Sequence, residues 1–366
     1  MGIIAFHGER LRLARVALGL TLDQLGERVS ATRQFLNQLE QGLKTPTKEM
    51  QAALADALGV AGHFFVLPAT AGIRPEQCHF RKQRTTPVSI VSQVLARGTL
   101  LDGFVSRLDH ELDLPPVTFP DIAAASAIEI EEAADSARTY WRLGTGPISN
   151  MMRVVENAGA VVSFFRGVSE RVDALSIDCA RPMIIRSEAK PAACRLRFDL
   201  AHETGHLIMH RGVQTGDKTT EDQANRFASA FLLPRSSFIH EFPRGRFLDW
   251  SAIYALKLRW KVSAAAILRR AYDLHVISAD QYRTGYIHLS KTGQKRFERR
   301  DDEIPSETPE LLPAAMKALE MTYPGAVGRL IAESGLGPDM FAHVSGLELP
   351  PARADGVNVV PLRFYQ

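Results

Sequence analysis

At 366 residues, with 45% hydrophobic and 23% charged residues, the chain has the composition of a folded protein of two or three domains. That balance excludes a disordered, collagen-like or disulfide-dense scaffold, and a net charge of +3 is too small to name a partner. Cys78, Cys179 and Cys194 are scattered without C-x-x-C spacing and read as free thiols of a reducing cytosol, Cys194 as a buried structural residue. The first residues lack a basic segment followed by an apolar core, and no apolar run is read as a membrane span. A cytoplasmic protein with no membrane partner is therefore expected.

Residues 1–70 read as a bundle of short helices. Leu11, Ala14 and Leu18 share one face of the first, and Thr21 is placed to cap a second that starts at Leu22. Thr32 caps a third, over residues 33–41, which Gly42 ends; Pro46 and Thr47 start a fourth, with Met50, Leu54 and Leu58 facing inward. Two short capped helices around a tight turn make a helix-turn-helix pattern. The runs Thr21-Leu22-Asp23-Gln24-Leu25-Gly26 and Arg33-Gln34-Phe35-Leu36-Asn37-Gln38-Leu39-Glu40-Gln41-Gly42 resemble the Cro/repressor-like (XRE) family. The resemblance implies that the second helix of the motif enters the major groove of a double-stranded DNA operator. Its readers would be Thr32, Arg33, Gln34, Asn37 and Gln38, with Lys44 and Thr45 on phosphates and a homodimer as the working form. Leu22 departs from the polar residue usual there, and the large Phe35 is expected on thymine methyls or in a partner interface. Charge adds little, with seven Lys/Arg against six Asp/Glu in residues 1–70, so a protein-docking module is the alternative.

Residues 71–145 read as a basic linker and helical connector. Arg81, Lys82 and Arg84 supply the charge, and residues 88–112 form an amphipathic helix with Val91, Leu95, Phe104 and Leu108 on its apolar side. A Pro-rich stretch over 114–120 precedes another helix over 128–141. Residues 148–157 then lead into three short strands, at 160–165, 173–177 and 182–185. The edge of such a sheet can pair with an extended substrate, but which strand forms it is not legible.

His202-Glu203-Thr204-Gly205-His206 follows the strands. Two imidazoles at i, i+4 leave the same side of a helix, because each residue advances about 100°. One tetrahedral Zn²⁺ can accept both. Glu203 can reach an attacking water without being a ligand, and a carboxylate there can take its proton. The H-E-x-x-H pattern is the zinc-peptidase signature and calls for a helix. Leu200, Leu207 and Ile208 make that helix half-buried, which argues against a solvated surface role for the polar residues. Gly205 inside a helix costs about 1 kcal/mol against Ala, which points to a close approach to the backbone. Downstream, Ala224, Phe227, Ala228, Phe231 and Leu232 mark the apolar face of a helix that Pro234 ends, and Glu221 and Asn225 share another face. An antiparallel pair of helices could offer His202, His206 and Glu221 to one zinc per chain and leave the fourth position open. Asp222 is the nearest competitor to Glu221, but it projects about 100° away.

The run from Leu196 to His206, followed by Glu221-x-x-x-Asn225-x-Phe227-Ala228-x-x-x-Leu232-Leu233-Pro234, resembles the ImmA/IrrE family of zinc metallopeptidases over about residues 150–234. The resemblance implies that His202, His206 and Glu221 are the zinc ligands and Glu203 the general base. It also implies a repressor protein as substrate, whose cleavage switches genes on. Asn225 and His210 are expected to support the ligands from behind. No oxyanion-stabilising residue is legible.

Beyond Pro234, residues 249–272 read as one helix carrying Trp250, Ile253, Leu256, Leu258 and Trp260, and residues 294–309 as charged and flexible. Residues 311–349 form short helices punctuated by Pro324, Gly335 and Gly337, with Leu330, Leu336, Met340 and Phe341 for a small core. The expected fold is α+β, mostly α. It comprises the helix-turn-helix bundle (1–70), the connector (71–145), a minimal zincin-like peptidase domain with a small β-sheet (146–290), and a flexible segment with a C-terminal helical module (291–366). The expected function is a DNA-binding transcriptional regulator fused to a zinc-dependent endopeptidase that cleaves a repressor, or itself, to derepress genes. The alternative is a non-catalytic transcription factor whose zinc is structural or sensory. Glu203 discriminates between them, since a structural site has no need of a base beside an open position.

Overall fold

The computed structural model describes residues 6–68, 71–80, 87–167, 174–186, 192–213 and 215–348. The basic cluster Arg81, Lys82 and Arg84 lies outside them. Four helices open the chain: α1 (Gly8–Ala17), α2 (Leu22–Val29), α3 (Arg33–Glu40) and α4 (Lys48–Leu58). Threonines start three of them. Thr21 forms a capping box with Gln24, Thr32 accepts from the Phe35 N–H, and Thr47 accepts from the Met50 N–H. Leu11, Ala14, Leu25, Leu36, Leu39 and Leu54 close the bundle's interior. Arg15 straps α1 to the end of α3 through a bidentate pair with Glu40 at 2.6 and 2.9 Å.

A mixed four-stranded sheet divides the molecule. Its strands are β1 (Cys78–Phe80), β2 (Val161–Phe164), β3 (Ala174–Ile177) and β4 (Met183–Arg186), in the order β1-β3-β4-β2. β2 runs parallel to β4, while β3 is antiparallel to both β4 and β1. The segment carrying β1 reads from its sequence as linker, because three residues are too few to show a period of two. Alternation sends Val161, Leu175, Ile177, Met183 and Ile185 to one core and Val162 and Ile184 to the other.

The first core holds the N-terminal bundle and α5 (Val88–Glu111), which crosses the sheet where Gly98 lets Ile177 and Ile73 approach. By length and composition α5 is apolar enough to span a membrane, against the expectation that no run is. Here 56% of its most apolar window is buried inside the protein. Buried Arg97 on α5 donates to the Ala17 carbonyl at 2.8 Å and also to the Arg166 carbonyl. The helix-turn-helix bundle is thus bolted to the end of β2 rather than tethered by a free linker.

The second core holds α6 (Ala127–Tyr140), α7 (Met151–Asn157), α8 (Ala193–Met209), α9 (Lys218–Leu232), α10 (Arg235–Glu241), α11 (Trp250–Trp260), α12 (Ala264–Asp273) and α13 (Ala279–Lys291). The stretch expected as one helix over 249–272 is two. Lys261 turns into the left-handed region at φ 54° and Ser263 caps the second helix through the Ala266 N–H. Nor is the charged stretch 294–309 loose. Lys257, fully buried, pairs with Glu298 at 2.9 Å and Asp301 at 2.5 Å, and Glu307 accepts from the Met151 and Met152 N–H groups while pairing with Arg197. Its charges are internal partners, a role composition does not reveal.

The C-terminal helices α14 (Leu311–Thr322), α15 (Ala326–Ser334) and α16 (Pro338–Ser345) close the first core instead of forming a separate module. Their backbone meets that of the N-terminal bundle, with the Ala61 N–H on the Gly335 carbonyl at 2.8 Å and the Gly337 N–H on the Gly59 carbonyl at 2.9 Å. Glu156 of α7 holds the start of α14 by accepting from the Glu310 and Leu311 N–H groups. Burial pushes its carboxyl up to about 7, although those N–H bonds pull it down. A folded-state value above the unfolded one means stability falls as pH rises between the two. Glu156→Gln is therefore expected to match wild type near pH 4 and to be more stable by about 1–3 kcal/mol at pH 8, read from urea melts.

Candidate active site

Helix α8 is buried on almost every side from Leu196 to Met209, so the polar residues within it must find partners inside the protein. Helix α9, capped by Asp217 through the Thr219 and Thr220 N–H groups, packs across it. Gly205 permits the close crossing, since a Cβ there would stand 3.0 Å from the Phe227 ring. The crossing brings together His202, His206 and Glu221, whose ligand atoms all lie within 4.8 Å of one another. The two Nε2 atoms are 3.1 Å apart, and Glu221 stands 3.3 Å from His202 Nε2 and 3.5 Å from His206 Nε2. Asp222 lines the same cleft as Glu221 but is not part of this group.

The supports behind the imidazoles settle which nitrogens carry protons. The Gln223 amide donates through Nε2 to the Ala125 carbonyl at 3.3 Å, which turns its Oε1 to accept from His210 Nε2 at 3.0 Å. His210 Nδ1 is then bare and accepts from His206 Nδ1 at 2.9 Å, leaving a lone pair on His206 Nε2. Likewise Asn225 Oδ1 accepts from His202 Nδ1 at 3.0 Å and leaves His202 Nε2 bare. Both Glu221 oxygens are buried without a hydrogen-bond partner among the described residues. Two lone pairs and a carboxylate thus converge with no donor between them, a donor set that fits a divalent cation. Burial takes His206 down to about 4, which keeps its imidazole neutral.

Glu203 lies beside this group, with Oε2 accepting from Ser176 Oγ of β3 at 2.6 Å. Burial pushes it up to about 7, against the pull of His202 and of the Ser176 hydrogen bond. His79 of β1 stacks flat on His206, with centroids 5.1 Å apart and planes at 4°, and its Nδ1 is 3.0 Å from Thr215 Oγ1. Burial lowers it to about 3, so it is neutral. Neither His79, Ser176 nor Gln223 is marked by any motif. Only the sheet register and the pitch of α9 bring them here. Glu221 is the most open of the three clustered groups, at 17% side-chain exposure, and a cleft of about 1110 Å³ lined by Glu221, Asp222, Asn225, Arg226 and Arg269 opens onto it. Cys194 stays buried, its thiol pushed up to about 12.

The groove-reading candidates sit apart from this site, on α3 and the loop after it. Thr32, Arg33, Gln34 and Lys44 are exposed, and Asn37 and Gln38 half-buried. Thr32 already serves as a cap, Arg33 reaches Asp23 at 3.2 Å, and the Lys44 ammonium lies 5.6 Å from the Phe35 ring.

Residues 155–272 match the IrrE N-terminal-like domain of peptidase family M78. That segment runs from α7 into α12 and contains the whole His202, His206 and Glu221 group, but not β1. Residues 8–63 match a helix-turn-helix domain. No curated protein matches the chain. The chain therefore joins a segment similar to a helix-turn-helix domain to one similar to an IrrE-like peptidase domain.

Proposed function

We propose that this protein is an operator-bound zinc endopeptidase that derepresses genes by cutting a repressor, or a copy of itself. The observation that carries the reading is the convergence of two bare imidazole nitrogens and a carboxylate beside an ionisable glutamate. His202, His206 and Glu221 would hold one Zn²⁺. When bound, zinc supplies Lewis-acid polarisation of a carbonyl and a lowered pKa for water. Ser176 fixes Oε2 of Glu203, so Oε1 is the atom left to take the proton of the attacking water. The same carboxyl then gives that proton to the leaving amine. Asn225 and His210 hold the imidazoles in the tautomers the site needs.

On the DNA side, Arg33, Gln34, Asn37 and Gln38 would read base edges, with Lys44 on phosphate, in a cytoplasmic homodimer seated on a double-stranded operator. Packing of the bundle onto the same sheet as the peptidase site supports the idea that the cutting centre acts on a repressor sharing that DNA. New protein N-termini, mapped by mass spectrometry in cells carrying wild type or Glu203→Gln, test the reading. Termini in a DNA-bound repressor or in this chain should appear with wild type alone. Identical termini in both strains would leave a DNA-binding protein without the proposed activity.

A further inference from the structure

The register of the sheet places His79 directly opposite Ser176, on the face that looks at α8. The next residues across that row, Ile184 and Val162, are apolar and belong to the core. β1 and β3 therefore present two polar side chains to the motif helix, one meeting Glu203 and the other, one turn on, meeting His206. Ser176 is spent on Glu203. His79 is spent only in part: Nδ1 meets Thr215 Oγ1, but Nε2 is buried with no hydrogen-bond partner among the described residues. Thr215 Oγ1 can donate to Nδ1 or accept from it, and where it donates the proton sits on Nε2. A buried donor without an acceptor is costly, and it is kept where a ligand supplies the acceptor. The parallel stack holds this ring against a ring of the candidate metal group, while Nδ1 is anchored on Thr215.

We propose that His79 is a catalytic residue of the peptidase site, its Nε2–H donating a hydrogen bond to the oxyanion that forms when the scissile carbonyl is attacked. The inference rests on the peptidase reading above. In the step it serves, the water oxygen bonds to the carbonyl carbon, the π pair moves onto the carbonyl oxygen, and the water proton goes to Glu203. His79 gives no proton; it only stabilises the new charge. When the C–N bond breaks, the oxygen pair returns to the carbonyl and the amine leaves with the proton from Glu203. His79 lies outside residues 155–272 and outside residues 8–63, so the connector between the two matched segments supplies it to the site.

The test uses the full chain loaded with Co²⁺ and titrated with methylphosphonate, a tetrahedral oxyanion, following the visible cobalt spectrum. His79→Phe keeps a ring for the stack without a donor, and His79→Gln keeps a donor without the ring. Phe is expected to bind methylphosphonate about 10–100-fold more weakly than wild type at equal cobalt content, and Gln to recover most of the loss. Phe binding as tightly as wild type, or Gln as weakly as Phe, would overturn the assignment while leaving the metal site standing. A wild type that takes up no cobalt would overturn the metal reading itself, and this inference with it.

Discussion

Glu203→Gln is expected to slow protein cleavage by about 10²–10⁴-fold, the usual contribution of a positioned general base. The amide has the shape of the carboxylate and can still accept from Ser176 Oγ, so the wall formed by β3 should stay in place. What it loses is the ability to hold a proton at Oε1. Glu203 is 1% exposed, so no bulk base can take over at that position. Because burial penalises the ionised carboxyl, its removal should not lower stability, and the metal content should stay that of wild type. Fragment yield by mass spectrometry, with elemental analysis of the same samples, checks both halves. Cleavage at the wild-type rate would remove Glu203 from the chemistry.

Arg197→Met is expected to cost about 3–5 kcal/mol of stability in urea unfolding, because it strands a buried carboxylate. Arg197 is 1% exposed on the motif helix and pairs with Glu307 while donating to the Ile148 carbonyl at 2.7 Å. Glu307 in turn caps α7 through two N–H bonds, so the pair ties the peptidase helix to the stretch that precedes α14. Adding Glu307→Gln removes the orphaned charge and should recover most of the loss, since Gln can still accept at α7. A single variant that costs under about 1 kcal/mol would mean that water reaches this pair.

Which parts were legible in the sequence follows from the range of the interactions. Capped helices are written locally, and Thr21, Thr32 and Thr47 each accept the N–H bond that their positions call for. The i, i+4 spacings of His202 with His206 and of Glu221 with Asn225 are local as well, and Gly205 signalled the approach that Phe227 makes. The pairing of partners far apart in the chain was not legible. His79 reaches His206, Ser176 reaches Glu203, and Glu307 reaches Arg197 only through the sheet register and the helix packing. Residues 71–80 and 294–309 carry few apolar residues with any period, so composition reads them as linker although both are built into the fold. The C-terminal helices were seen as helices. Their place on the N-terminal bundle depends on backbone contacts such as Gly337 to Gly59, which leave no pattern in sequence.

Everything proposed for the peptidase site depends on His202, His206 and Glu221 holding one ion. Elemental mass spectrometry of purified wild type beside His202→Ala and Glu221→Ala measures that directly. One zinc per chain in wild type, lost from both variants while circular dichroism stays unchanged, is the predicted result. Wild type that remains metal-free after zinc is supplied, or variants that keep a full equivalent, would contradict it.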